Sequence, residues 1–335
     1  RGLGDVYKRQ KDMKTYVCEE FGPPANLAEI DLEAPTLKSG EVRVNVHAAG
    51  VGFVDGLLIQ GKYQVKPPLP FYPGNEFSGV IAETAQDVND VNVGQRVMGM
   101  ANGGAFGEQV NMKANQLFQL PDGIDHSTAA SLFANYATAL FGLRDCGAMQ
   151  SGETILILGA AGGVGSAAIT VARAMGAQVI AAASSEEKRK AALENGAHHA
   201  VDYTDPDWRE ALKSVTPTGL NIVYDPVGGD YSDPAFRSLS PGGRFLVVGF
   251  AAGTIPSIPL NLALLKRASI VGVDWGGEAR ANPAINSDLV ATILAWVANG
   301  TLKPAAVVEH PIRNVREALA AQLAGDIVGK LVLVR

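Results

Sequence analysis

Apolar and polar residues alternate along the first third of the chain, a pattern typical of β-strands. The segment 41–47, Glu-Val-Arg-Val-Asn-Val-His, alternates strictly, as a strand with one buried face does. Shorter strands are predicted at 79–83, 92–98 and 105–110, and no long helical period separates them. This half is therefore predicted to be a mostly antiparallel, barrel-like β domain.

The pattern changes near residue 126, where Ser127 is predicted to cap a short helix, followed by a helix at 136–148. Short apolar strands then alternate with helices, and the strands are predicted at 155–158, 178–183, 200–203, 221–225, 244–248 and 269–273. This alternation indicates right-handed βαβ units and a parallel sheet buried on both faces. Because that sheet already has six strands, we expect the remaining helices at 287–299 and 315–323 and the strand at 330–334 to return to the first domain.

A glycine-rich turn joins the first of these strands to its helix. The sequence from 155 to 165 is Ile-Leu-Ile-Leu-Gly-Ala-Ala-Gly-Gly-Val-Gly, with Ala160 at the first position of the G-x-G-x-x-G pattern and Gly162 and Gly165 at the others. Glycines let the backbone approach a pyrophosphate, and free N–H groups at a helix start face the anion. The strand before and the helix after favour a dinucleotide site over an ordinary tight turn. The candidate cofactor residues here are Gly159, Ala161, Gly162, Gly163 and Val164.

The end of the second parallel strand bears on which dinucleotide binds. A carboxylate at this point binds the ribose hydroxyl of NAD, but here Ala183 is followed by Ser184 and Ser185. With no carboxylate to repel a 2′-phosphate, the sequence predicts NADPH, and the candidate residues are Ser184, Ser185, Lys188 and Tyr203. The alternative is that Ser184, in a capping box with Glu187, only caps its helix and that Lys188 is a solvated charge.

Composition excludes several classes of function. A hydrophobic content of 47% and a charged content of 19% indicate a folded globular protein, and a net charge of −6 disfavours nucleic-acid binding. No apolar run reaches the ~20 residues that span a bilayer, and the first residues lack the apolar core that is typical of a signal peptide. The two cysteines, Cys18 and Cys146, are interpreted as reduced thiols of a cytoplasmic protein without a membrane partner. Residues 1–12 are polar and aperiodic, and we interpret them as an expression or sequencing remnant.

Several stretches together resemble the medium-chain dehydrogenase/reductase superfamily, and within it the NADPH:quinone oxidoreductase (zeta-crystallin-like) family. They are the segments 49–55, 73–76, 161–165, 225–229 and 247–275. The resemblance implies an α/β fold in which a Rossmann doubly wound parallel sheet (131–273) is inserted into a GroES-like, mostly antiparallel β-barrel catalytic domain (13–130 and 274–335). It also implies a homodimer, for which the apolar run 260–265 is either an interface or core.

The resemblance further implies roles for single residues. It places Asp55 and Tyr63 on the substrate side, with Tyr63 as a hydrogen-bond donor to the acceptor oxygen. The residues that it places on the cofactor side are Asn135, Thr138, Gly249, Phe250 and Lys330. Zinc enzymes of the superfamily carry cysteine and histidine where this chain has Gly52 and Asn75, so no metal is expected.

A hydride from NADPH can reduce an electron-poor acceptor without a Lewis acid, so a quinone or an α,β-unsaturated carbonyl is the predicted small-molecule substrate. One alternative is reduction of an enoyl thioester, although Lys62 and Lys66 are the only basic residues near the substrate loop. The other alternative is a non-catalytic nucleotide-binding or RNA-binding protein, against which the net charge argues in the case of RNA.

Overall fold

The computed structural model describes residues 12–325 and 327–335. Of the segment interpreted as a remnant, residues 1–11 lie outside the described residues, and Asp12 is the first residue of a strand. Among the helices of the described ranges, none combines the length and the apolar character that a membrane crossing requires.

The first part of the chain forms an antiparallel β structure around one long strand. Its elements are β1 Asp12–Val17, β2 Ala28–Glu33, β3 Glu41–Val51, α1 Phe53–Ile59, β4 Glu76–Thr84, β5 Arg96–Met100, β6 Gln109–Lys113, β7 Phe118–Gln119 and α2 His126–Ala129. Strand β3 pairs with β4 along most of its length and with β6 at its N-terminal end. Helix α1 was not predicted, because seven residues including Gly56 are too few to show a helical period.

The middle of the chain forms a six-stranded parallel sheet with helices on both faces. Its elements are α3 Ala134–Leu140, a π-helical turn Phe141–Cys146, β8 Thr154–Leu158, α4 Gly163–Ala174, β9 Gln178–Ala183, α5 Glu186–Glu194, β10 His199–Asp202, α6 Trp208–Val215, β11 Leu220–Asp225, α7 Ser232–Arg237, β12 Leu239–Val247, α8 Leu260–Lys266 and β13 Ser269–Gly272. The strand order is β10-β9-β8-β11-β12-β13. Ile155 and Ile157 of β8 face one apolar core and Leu156 and Leu158 face another, so the sheet is buried on both faces as predicted.

The last part of the chain adds two strands to the first sheet and a helix to the core of the parallel sheet. Its elements are α9 Trp275–Ala281, α10 Pro283–Ala298, β14 Val307–Pro311, α11 Val315–Ala324 and β15 Lys330–Val334. Strand β15 pairs antiparallel with β3, which gives the first sheet the order β14-β15-β3-β4-β5-β7. Helix α10 instead packs with the parallel-sheet core, which Leu289 and Ile293 share with Ile155. The predicted domain boundaries stay predictions, and this packing favours a second boundary later than 273.

The predicted fold class, a doubly wound parallel sheet combined with an antiparallel barrel-like sheet, is confirmed. Some helix ends were predicted wrongly. Asp125, and not Ser127, caps α2 by accepting the N–H of Thr128. Ser185, and not Ser184, caps α5. Both errors are one or two residues long, which is the usual uncertainty of helix ends in a sequence with several capping residues in a row.

Candidate active site

The glycine turn lies at the carboxyl end of β8, where parallel sheets bind nucleotides. Gly159 has a φ of +58°, and Gly162 precedes α4 without a side chain that caps the helix. A Cβ atom at Gly165 would lie 2.3 Å from the carbonyl oxygen of Gly159, so only glycine fits against the strand end. The first N–H groups of this twelve-residue helix are therefore offered to an anion, as a dinucleotide site requires.

The last strand of the barrel-like sheet begins at this turn. The N–H of Gly329 donates to the carbonyl oxygen of Ala161 at 2.7 Å, and Gly329 forms a parallel bridge with Gly162. Lys330 follows directly, and a Cβ atom at Gly163 would lie 3.6 Å from its Cδ atom. The two sheets are thus joined at the glycine turn itself.

The ammonium group of Lys330 forms a buried ion pair with Glu76. The second carboxylate oxygen of Glu76 accepts the N–H of Ala134, the first residue of α3, at 2.5 Å. The structure therefore shows Lys330 bound to a carboxylate, and its predicted contact with the cofactor stays a prediction. Glu76 lies in the segment 73–76 that carries the family resemblance, but its role could not be predicted because its partner is 254 positions away.

Helix α3 brings Asn135 to the glycine turn. A Cβ atom at Gly163 would lie 2.7 Å from the Nδ2 atom of Asn135, so the amide lies directly against the turn. Thr138 is half-buried on the same helix, nearly one turn further along. The ion pair of Glu76 and Lys330 holds the start of α3, and it thereby positions the two residues predicted to face the nicotinamide.

Asp55 is buried in the first turn of α1, and both of its carboxylate oxygens are engaged. One accepts the N–H of Gly52 at 2.8 Å and the other accepts the side-chain N–H of Asn75 at 2.7 Å. Burial raises the pKa of Asp55 to about 6, and the negative charge of Glu76 acts in the same direction, against the N–H of Gly52, the charge of Lys330 and the amide of Asn75. Asp55 therefore holds neighbouring groups in place, and its own oxygens are occupied.

A small cavity of about 60 Å³ opens beside this pair. Asp55 and Asn75 line it together with residues of the proline-rich loop and of the turn after β5, including Tyr72, Asn102 and Gly103. Tyr63 is half-exposed, is not part of the lining, and makes no hydrogen bond to another described residue. Sequence reasoning missed Tyr72. The five prolines around it had indicated only a rigid loop that shapes a site.

The residues predicted to bind the adenosine end lie around the ends of β9 and β10. Ser185 accepts the N–H of Lys188. Burial raises the pKa of the Tyr203 hydroxyl, and the nearby Ser184 partly offsets this rise. The ammonium of Lys188 donates to the carbonyl oxygen of Gly325 at 3.0 Å, so it is not a freely solvated charge. A second cation was missed: Arg189 forms a 2.6 Å ion pair with Asp202, at the end of β10.

The loop after β11 closes the opposite side of the turn. Asp225 is buried and accepts the N–H groups of Val227 and Gly228 at 2.8 Å. Its carbonyl oxygen accepts the N–H of Gly249 at 3.2 Å, while the side chain of Phe250 is 40% exposed. Gly249 and Phe250 therefore lie at the carboxyl ends of the central strands, as expected for residues near a bound nucleotide.

Two family models match the chain. Residues 38–122 match the alcohol dehydrogenase GroES-like domain, and residues 163–292 match the model described as zinc-binding dehydrogenase. The second match covers the helix of the glycine turn and most of the parallel sheet. The first match covers strands β3 to β7 of the barrel-like sheet, and the second covers β9 to β13 of the parallel sheet.

Individual relatives match nearly the whole chain. Quinone oxidoreductase-like protein 2 of Rattus norvegicus is 38% identical over 97% of this chain and 93% of its own length. Human quinone oxidoreductase is 31% identical over 97% of this chain and 98% of its own length. A mycobacterial protein solved in complex with NADPH has a TM-score of 0.87 at 26% identity, covering 96% of this chain and all of that one. The chain therefore belongs to the quinone oxidoreductase family of the medium-chain dehydrogenases/reductases.

Proposed function

We propose that this protein transfers a hydride from NADPH to a quinone or an α,β-unsaturated carbonyl without a metal ion. The observation that carries the proposal is the junction of the two sheets. There the glycine turn lies against Asn135 and next to Lys330, whose partner Glu76 adjoins Asn75 at the acceptor cavity. A cofactor on the turn and an acceptor in the cavity are then held by one connected set of side chains.

The residues of the turn fit a dinucleotide. Gly162 has only one neighbouring atom within 4 Å of the place where a Cβ would stand, the carbonyl oxygen of Gly159 at 3.5 Å. The space beside it is therefore open, and the uncapped start of α4 faces it with N–H groups. When bound there, NADPH would supply the hydride; the protein binds and orients it.

The choice of NADPH over NADH rests on charge at the end of β9. Ser184 and Ser185, and not a carboxylate, directly follow Ala183. The helix that begins there carries Glu186 and Glu187 in its first turn, and the cations of Lys188 and Arg189 come next. A 2′-phosphate carries negative charge that these cations attract and that a carboxylate would repel. The mycobacterial structure in complex with NADPH supports the same choice.

A metal-free reaction is supported by the donor set. Gly52 has no side chain, Asn75 is bonded to Asp55, and the described residues contain no group of three or more His, Cys, Asp or Glu side chains arranged to hold a metal ion. Quinones and enones accept a hydride at carbon because the electron pair displaced from the π bond moves onto a carbonyl oxygen. What this chain must supply is orientation and hydrogen bonds to that oxygen.

The test is loss of NADPH absorbance with a panel of benzoquinone, menadione and cyclohexenone, with NADH in parallel. We expect saturable turnover with at least one acceptor and a lower KM for NADPH than for NADH. Tight NADPH binding with no turnover across the panel would contradict the enzymatic proposal. A preference for NADH would contradict the choice of cofactor alone.

We also propose that two copies pair through the outer strand of the parallel sheet. Strand β13 is at the end of the strand order, and Leu260, Leu264 and Leu265 beside it are each more than 70% exposed. The structure thus excludes the core alternative for these three leucines, although Leu262 packs inward. Such an apolar surface next to an open strand edge favours association. We expect sedimentation velocity to show a dimer for the wild-type protein and a monomer for Leu264→Asp.

A further inference from the structure

Asn75 is held at the acceptor cavity by a buried carboxylate. Its Nδ2 atom donates to Asp55 at 2.7 Å, and the other oxygen of Asp55 accepts the N–H of Gly52 at 2.8 Å. An ionised carboxylate only accepts hydrogen bonds, so the side chain of Asn75 must present its NH₂ group, and not its oxygen, to Asp55. The orientation of the amide is therefore fixed by its partner.

One half of the amide remains available. The second N–H and the oxygen of the Asn75 side chain have no hydrogen-bond partner among the described residues, and Asn75 is a lining residue of the cavity. Its backbone is held firmly, because its carbonyl oxygen accepts the N–H of Ala101 and the next residue begins β4. Asn75 is thus the member of the pair that can donate to a ligand, whereas an ionised Asp55 has no hydrogen-bond donor.

We propose that Asn75 donates its second amide N–H to the carbonyl oxygen of the acceptor, and that Asp55 is the positioning residue that fixes this donor. The inference rests on the proposed function. The acceptor carbon receives the hydride with its electron pair, the π electrons move to the oxygen, and a proton from water then completes the reduction. Asn75 keeps its own proton throughout. A donor held in place before the reaction stabilises the charge on the oxygen without reorganisation.

The charges around Asp55 make this arrangement dependent on pH. Glu76 and Lys330 are the charged groups that act on it, and burial raises its pKa to about 6. Below that pH the carboxyl gains a proton and can donate as well as accept, so it no longer fixes one orientation of the Asn75 amide. The rate with a carbonyl acceptor should therefore fall as the pH drops through about 6.

The first experiment compares Asn75→Ala, Asn75→Ser and the control Asn45→Ala. Asn45 is exposed on β3, and among the described residues its side chain bonds only to Gln109. We expect kcat/KM for the acceptor to fall roughly tenfold to a hundredfold in Asn75→Ala, in the range that single oxyanion donors contribute. It should also stay below the wild-type value in Asn75→Ser, whose single O–H can donate to Asp55 or to the acceptor but not to both. The dissociation constant of NADPH should stay near the wild-type value. The melting temperature of Asn75→Ala should fall, because one oxygen of the buried Asp55 loses its donor, and Asn45→Ala should behave like wild type. Unchanged kcat/KM in folded Asn75→Ala would overturn the inference and leave the proposed function standing.

A second measurement separates the two proposals. Binding of cyclohexanone, an unreactive saturated ketone, to the NADP⁺ complex needs no turnover. Weaker binding to Asn75→Ala than to wild type supports the role of Asn75 even if no acceptor in the panel is reduced, while equal binding counts against it. In Asp55→Asn the fall of kcat/KM below pH 6 should disappear, and a retained fall would overturn the positioning role of Asp55.

Discussion

The cofactor side and the acceptor side of this site are built in different ways. The glycine turn closes on itself within seven residues: the N–H of Gly162 donates to Gly159, and Gly165 packs against the same carbonyl group. The acceptor side instead joins distant parts of the chain, with Asp55 and Asn75 twenty positions apart and Glu76 and Lys330 separated by 254. The first is specified by local backbone sterics, and the second exists only when both sheets have formed.

The largest effect should come from breaking the contact that joins the two sides. In Glu76→Gln the ammonium of Lys330 stays buried without a charged partner, which typically costs ~3–5 kcal/mol of unfolding free energy. Urea unfolding measures the loss. The double variant Glu76→Gln with Lys330→Met should regain much of it, since no buried charge is left.

The matched control is Glu194→Gln, which removes the carboxylate of the exposed pair with Lys190 on α5. That variant should unfold at the wild-type urea concentration, because exposed pairs contribute little. If Glu76→Gln is as stable as Glu194→Gln, the ion pair does not join the two sheets energetically, and the acceptor side is more locally specified than we infer.

This contrast explains how much of the site the sequence revealed. The glycine turn and the strands of the parallel sheet follow from local patterns, and each is present in the structure. The role of Glu76 could not be predicted, because a glutamate in a short strand carries no sign of a lysine far along the chain. The same holds for Asn75, whose function depends on the side chain of Asp55 and not on its own neighbours.

The cap of helix α5 was predicted one residue too early, for a similar reason. Both Ser184 and Ser185 are residues that commonly cap a helix. Which of them caps α5 depends on where β9 ends and the helix begins. Ser184 does not cap α5 and lies beside Tyr203, with which the sequence grouped it only as a cofactor residue. Local patterns identified the right segment, and tertiary packing assigned the individual roles.

An intermediate effect should come from Gly162→Ala on the cofactor side. Its backbone angles, φ −77° and ψ 171°, suit any residue, and the added methyl group would meet only the carbonyl oxygen of Gly159 at an ordinary 3.5 Å. The fold should therefore tolerate it, with a melting temperature close to that of wild type. A bound pyrophosphate would meet the methyl group, so we expect the dissociation constant of NADPH to rise roughly tenfold, about 1.4 kcal/mol.

Two further glycine variants separate an effect on cofactor binding from an effect on folding. Gly165→Ala places a methyl group 2.3 Å from a backbone oxygen and should lower the melting temperature strongly. Gly272→Ala, with no neighbour within 4 Å among the described residues, should leave the NADPH affinity unchanged. Intrinsic fluorescence of the bound cofactor measures affinity in all three. Unchanged NADPH affinity in Gly162→Ala would show that the pyrophosphate does not lie on this turn.

The smallest effect should come from Lys188→Met, which keeps the side-chain stem and removes its charge. The ammonium of Lys188 lies near the end of β9 but already donates to Gly325, so only part of its charge acts on a 2′-phosphate. We expect NADPH to bind about threefold to tenfold more weakly at low salt, as for a partly exposed ion pair, and NADH to bind as before.

Lys190→Met on the same helix is the control, since Lys190 pairs with Glu194 and is 77% exposed. It should leave the affinities for both cofactors unchanged. Added salt should shrink the difference between wild type and Lys188→Met, because the lost interaction is between charges open to solvent. Equal weakening of NADPH and NADH would mean that Lys188 acts only by holding Gly325 in place. The preference for NADPH would then depend on Arg189, whose guanidinium lies at the end of the same strand.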